Sequence, residues 1–280
     1  MKYKIIADSS CDLNEELKEK LDVSLIPFKI DVDELRFIDD EQLDTTDLIK
    51  AMKSSPNPTR TSCPSPGDFV EEYKSTEAES IFVVTISSPL SGTYNSAILA
   101  KNMVEEDEPH KFIHIFDSKS ASVGETLTAM KIHELVEKKL GNLEIVEKVE
   151  KYIKEMKTYF ILESLDNLIK NGRISKTKGL LANALNLKPI MGADGEGNIK
   201  LVENVRGTKR AFRRLVEIIG ETGEKLEEKI LAISHANALE RAEELKKAIE
   251  EKYNFKEVIL VKQAGLSTAY ANDGGIILVF

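Results

Sequence analysis

Between residues 80 and 157 one pattern repeats: a short apolar run, then a longer stretch with helical periodicity. The runs 80–86 and 111–116 read as strands, with helices at 93–105, from about 122 to 140, and at 143–157. Strands separated by such helices pair in parallel, and the helices cover both faces of the sheet. Upstream, 3–7 reads as a strand and 14–21 as a helix. Residues 23–32 form an extended segment broken by Pro27, and Asp44 or Thr45 can cap a helix running through Met52. The breaker-rich stretch PNPTRTSCPSPG (56–67) reads as loop throughout. It ends in a helix start, with Ser65 as N-cap, Pro66 in the first turn and Asp68 placed favourably for the helix dipole.

After Thr158 the rhythm changes. TYFILES reads as a strand, followed by a short helix and the turn NGRIS. Two strands joined by a hairpin at 194–197 come next, then a basic helix from about Gly207, strand 229–234, helix 237–252, and strands 257–261 and 275–280. Hairpins mixed with crossovers predict a mixed sheet with helices on one face. A chain of 280 residues is long for one core. The expected architecture is therefore a two-domain α/β protein. Residues 1–157 would form a three-layer α/β/α domain with a mostly parallel sheet, and 158–280 a second α/β domain.

Net charge is -9, which argues against nucleic acid as a partner, and tryptophan is absent. Cys11 and Cys63 cannot build a disulfide framework. Neither GxGxxG, GxxxxGK[ST] nor GxSxG occurs, and the four histidines complete no zinc set. No cofactor or metal is expected. The apolar runs are shorter than the ~20 residues of a membrane span, and MKYKIIADSSCD reads as a strand and not a signal peptide, so the expected location is cytoplasmic.

Four segments at predicted strand ends share one chemistry: ADSSCD (7–12), RTSCPS (60–65), ISSPLSGTY (86–94) and DSKSAS (117–122). Ligands bind at the carboxyl ends of strands in open α/β sheets, where loops and helix N-termini gather. Hydroxyls and exposed amides there suit a small anion, and Gly92 permits close backbone approach. A phosphate site would normally add Lys or Arg or a glycine-rich loop, so a neutral donor set fits a single carboxylate better.

ADSSCDL, TSCPSPGDF, ISSPLSGTYNSA, DSKSASVG and LDNLIKNGRIS, in this order and spacing, resemble the DegV family. These are bacterial fatty-acid-binding proteins, including the binding subunit of a two-component fatty acid kinase. The resemblance spans essentially the whole chain. It implies a two-domain α/β protein that holds a long-chain fatty acid in a tunnel, for phosphorylation to an acyl phosphate by a partner kinase. By motif, Thr61, Ser62 and Ser91, with Gly92 and Thr93 of the same loop, would hold the carboxylate, and Arg173 would add positive charge. Better-known members end in an HTGPG-like motif. Here the stretch is Tyr270-Ala271-Asn272-Asp273-Gly274, so Tyr270 stands at the histidine position. A phenol donates a hydrogen bond but stays neutral, unlike an imidazole.

Candidates for the tunnel wall are Phe28, Phe160, Leu162, Leu165 and Ile190. RGTKRAFRRL (206–215) gathers Arg206, Lys209, Arg210, Arg213 and Arg214, a candidate docking patch for an acidic partner or for transient contact with an anionic membrane. A monomer is expected, since nothing argues for a dimer. The competing reading is an α/β enzyme acting on a small carboxylic or phosphorylated metabolite, with Ser91 or Cys63 as nucleophile.

Overall fold

The computed structural model describes residues 2–174 and 187–280. The first half runs β1 (Tyr3–Asp8), α1 (Glu15–Leu21), β2 (Val23–Ile26), β3 (Lys29–Val32), β4 (Leu35–Ile38) and α2 (Thr45–Ser54). It continues with β5 (Arg60–Ser62), α3 (Pro66–Ser75), β6 (Ser80–Thr85), α4 (Thr93–Asp107), β7 (Phe112–Asp117), α5 (Val123–Glu137) and α6 (Asn142–Glu155). The second half contains β8 (Thr158–Ile161), α7 (Asp166–Lys170), β9 (Leu187–Ala193), β10 (Ile199–Arg206), α8 (Thr208–Thr222) and β11 (Ile230–His235). It closes with α9 (Leu239–Glu250), β12 (Glu257–Lys262), α10 (Gly265–Ala271) and β13 (Ile276–Val279). Ser175, the end of the NGRIS turn, and Asn186, at the predicted hairpin's start, lie outside the described residues.

Local chemistry sets several of these boundaries. Asp44 accepts from the Thr46 amide at the start of α2. Ser65 and Asp68 exchange hydrogen bonds in a capping box that opens α3.

The first sheet has the order β2-β1-β6-β7 and is wholly parallel. The second has the order β10-β9-β8-β13-β11-β12, with only β11 and β12 parallel, which is the expected mixed sheet. A third, antiparallel sheet, β4-β3-β5, was not anticipated. It corrects the reading of 56–67 as loop throughout, because Arg60 and Thr61 pair with Asp31 and Ile30. Three residues flanked by prolines carry no periodicity of their own; the pairing partner makes the strand.

Packing produces five layers. Helices α3 and α4 cover one face of the parallel sheet through Phe69, Tyr73, Ala97 and Val104. Helices α1, α5 and α6 cover the other face, around Ile5, Phe82 and Phe116. Helix α5 is buried on nearly every side, and the same cluster continues through Ala232, Ile259, Val261 and Val279 of the mixed sheet. Helices α8 and α9 close the far face of that sheet through Leu215, Ile219 and Ile249. The described strands of the parallel sheet end with β7 and those of the mixed sheet begin with β8, but one hydrophobic cluster draws on both sheets. Among the described residues, no helix is long and apolar enough to cross a membrane.

Leu127, 1% exposed on α5, sits in the cluster common to both sheets. Leu127→Ala is expected to destabilise the protein by about 2–5 kcal/mol. Urea denaturation followed by circular dichroism should still show one transition, because the helix serves both halves. Two separated transitions would contradict this packing.

Candidate functional site

Strands β1, β6 and β7 end side by side at Asp8, Thr85 and Asp117, and the loops that follow are tied to one another. Asp8 accepts from the amides of Ser10 (3.0 Å) and Ile86 (2.9 Å), joining the first loop to the second. Asp117 accepts from the amides of Ser88 (3.1 Å) and Lys119 (3.0 Å), joining the second to the third. Ser87, fully buried, donates to the Gly197 carbonyl at 2.9 Å and so fastens the β9–β10 hairpin onto the first half. Gly197 has φ +86, and a Cβ there would lie 2.2 Å from Ser87 Oγ, so only glycine allows this approach.

These loops and the second half enclose a cavity of about 330 Å³, the size of a small-molecule site. All four hydroxyl-bearing segments reach it, through Ser10, Thr61, Ser91 and Ser120. Thr61 Oγ1 and Tyr270 Oη lie 2.9 Å apart. Ser91 Oγ lies 2.8 Å from Thr93 Oγ1. Gly92 faces Cys63, where an added methyl would come within 3.6 Å of Sγ. Arg173 donates through Nε to the Leu90 carbonyl (3.0 Å) and through Nη1 to the Asn171 carbonyl (2.6 Å), which sets its guanidinium along the cavity wall. Asn171 donates in turn to the Thr59 carbonyl at 2.8 Å, anchoring the end of α7 beside β5.

Thr61, Ser62, Ser91, Gly92, Arg173 and Tyr270 thus line one cavity, as do Phe28, Phe160 and Leu162. Three expected residues do not. Thr93 is fully buried and supports Ser91 from behind. Leu165 packs with Leu168 and Ile174 beside the cavity, outside its lining. Ile190 lies in the cluster under α8, because neighbouring strand residues face opposite sides and Met191 takes the cavity side.

No Asp, Glu or His is found among the described residues lining the cavity. Its described cationic lining residues are Arg173 and Lys119, and Lys119 Nζ pairs with Glu196 at 3.0 Å. The wall therefore favours an anion. Among the described lining residues, no carboxylate or imidazole stands beside Ser91 or Cys63 to act as a base.

A family model described as an uncharacterised protein of the DegV family matches residues 2–278. The chain belongs to the DegV family. A DegV domain-containing protein of Streptococcus pneumoniae is 32% identical over 280 residues, covering 99% of this chain and 98% of that one. The crystal structure of a DegV family protein from Ruminococcus gnavus, described with vaccenic acid, superposes with TM-score 0.96 at 42% identity, covering 100% of this chain and 99% of that one. The Streptococcus pneumoniae Fatty Acid Kinase B3 protein, loaded with linoleic acid, gives TM-score 0.89 at 30% identity, with 100% and 99% coverage.

In this DegV chain the sequence reading missed α10, which brings Leu266, Ser267 and Tyr270 to the cavity. Two aspartates from the first half hold its start. Asp12 accepts from the Ala264 amide at 2.7 Å, and Asp39 from those of Gly265 (2.6 Å) and Leu266 (2.8 Å). Asp39 also accepts from Ser9 Oγ, and Asp12 from Ser122 Oγ. Behind them lies Glu125, wholly buried. Burial pushes Asp8 and Asp12 from the ordinary 3.8 up to about 7, and it raises Asp39 as well. Glu125 is driven well above the carboxylate range, first by burial and then by the charge of Asp8.

A carboxyl whose pKa is higher folded than unfolded binds its proton more tightly in the folded state. Asp8 and Asp12 therefore favour the fold at about pH 4 and lose that contribution as pH rises through about 7. Urea midpoints should fall between about pH 5 and about pH 8. Asp12→Asn, which keeps an oxygen for the Ala264 amide, should flatten that decline; an unchanged slope would remove Asp12 from the effect.

Proposed function

We propose that this chain binds one long-chain fatty acid in the cavity and presents its carboxylate to a partner kinase for acyl-phosphate formation. The observation that carries the reading is the meeting of Thr61, Ser62, Ser91, Tyr270 and Arg173 in a cavity with no carboxylate among its described lining residues. The acid end lies against those donors, and the tail runs along Phe28, Phe160, Leu162 and Leu266. A chain with about fourteen buried methylenes gains on the order of 11 kcal/mol, against an association cost of about 4 kcal/mol or more. Each hydroxyl–carboxylate bond nets roughly 1.5–3 kcal/mol before desolvation is counted. The tail thus supplies affinity and the hydroxyls supply orientation.

Fatty acids in the similar Ruminococcus and Streptococcus structures support the lipid, and the kinase name of the latter supports the partner. On this reading the protein is a non-catalytic cytoplasmic monomer. Its docking surface is the start of α8, where Arg206, Lys209, Arg210 and Arg213 border a shallow groove. Arg214 does not belong to that surface, because Glu203, Glu217 and Glu221 hold its guanidinium.

Protein purified from cells should carry near-stoichiometric long-chain fatty acid, seen by mass spectrometry after denaturation; an empty protein, or one holding a small polar ligand, would end the reading. Thr61→Val combined with Ser91→Ala should abolish acyl-phosphate formation by the cognate kinase while bound lipid persists. Reversing Arg210 and Arg213 to Glu should leave lipid content unchanged and weaken binding to the kinase or to anionic vesicles, a loss measurable by sedimentation.

A further inference from the structure

Strand β8 sets the long direction of the cavity. Thr158, Phe160 and Leu162 all line it, because alternate residues of a strand face one side, while Tyr159 and Ile161 point into the cluster under α8. From Thr158 to Leu162 the extended chain covers about 13 Å. Leu162 leads into α7, and beyond that helix Asn171 is tied to Thr59 and Arg173 to Leu90. Thr61, Ser91 and Arg173 therefore gather at the Leu162 end. Thr158 stands at the opposite end, the one a lipid tail would reach.

The lining at the Thr158 end is braced from behind. Thr158 Oγ1 lies 2.8 Å from Ser120 Oγ, so one hydroxyl donates to the other. A β-branched side chain has few χ1 choices, and this bond fixes the one Thr158 takes. Ser120 is itself held. Its amide donates to Ser118 Oγ at 3.2 Å, and its carbonyl accepts from the Ser87 amide at 2.8 Å. Gly124 packs directly against it, since a Cβ there would lie 2.1 Å from Ser120 Oγ. Gly124 belongs to the first turn of α5, the helix whose buried residues share one cluster with both sheets. Thr158 is thus backed by Ser120, and Ser120 by α5. Close-packed interiors accommodate an extra methylene poorly, so moving Thr158 aside to admit one more carbon is unfavourable.

We propose that the braced Thr158–Ser120 pair is the end stop of the cavity and selects fatty acids by chain length. Each carbon added short of the stop buries one more methylene, and the first carbon beyond it meets a wall that does not give. This selection rests on the fatty-acid reading and adds to it the property by which one acid is told from another.

The test offers the full-length protein, stripped of bound lipid, an equimolar mixture of saturated fatty acids from lauric to behenic acid in one-carbon steps. Bound acids are then identified by mass spectrometry after denaturation. Wild type should enrich each longer acid about fourfold over the last, the gain from one buried methylene. Past a maximum, uptake should drop about tenfold within about two carbons. Thr158→Ala takes the side chain off the stop and should move the maximum to a longer acid by about one or two carbons. Thr158→Leu extends the wall into the cavity and should move the maximum to a shorter acid. Shifts of opposite sign do not arise from a general loss of stability. If the leucine variant does not fold, Thr158→Met extends the same wall with a more adaptable side chain and should shift the maximum in the same direction. A maximum that stays in place in Thr158→Ala overturns the stop, as does a wild-type profile with no maximum. Uptake of every length alike separates that failure from the failure of the fatty-acid reading, which would show as uptake of none.

Discussion

The grip of Asp12 and Asp39 on the amides that begin α10 is the constraint on which the site depends. Those amides belong to the second half and the carboxylates to the first, and the Asp39–Gly265 bond spans 226 residues of sequence. Through it Tyr270 is set against Thr61, and Leu266 and Ser267 against the cavity. Burying carboxylates without a cation is costly. Here the cost is met partly by amide and hydroxyl donors and partly by raised affinity for protons, as at Asp12. Asp12, which helps to orient the site, therefore also changes its charge near neutral pH.

The cavity's chemistry follows from a division of labour among hydroxyls. Some line the cavity, as Ser91 and Thr61 do. Others, such as Ser87, Ser9 and Ser122, are spent on holding loops from different elements in register. The loop between β6 and α4 needs both kinds, which explains its density of serine and threonine. A bare turn would leave the β9–β10 hairpin without its Ser87 anchor and the cavity without Ser91.

Much of this was legible from residue order. Alternating strands and helices fixed the parallel sheet, the caps at Asp44 and Ser65 placed α2 and α3, and the four hydroxyl segments do reach one cavity. Other parts were hidden for physical reasons. Helix α10, GLSTAYA, is buried on almost every side, so it has no polar face to generate a periodic signal. Helix α5 conceals its position between two sheets because Thr126 and Thr128 satisfy their hydroxyls on nearby carbonyls, such as Thr128 on Gly124 at 2.8 Å. Polar letters there look like an exposed face. Ile190 was misjudged because apolarity alone does not say which side of a strand a residue takes.

The placement of α5 also limits how far the two halves can part. A helix wedged between two sheets by one continuous core acts as a spacer, not a pivot, so the halves cannot swing apart like a clamshell without exposing Leu127 and its neighbours to water. At the hairpin tip the halves are joined instead by two small polar fasteners, the Ser87–Gly197 and Lys119–Glu196 contacts. Both are polar contacts, so parting them breaks a hydrogen bond and an ion pair and leaves the shared hydrophobic cluster untouched.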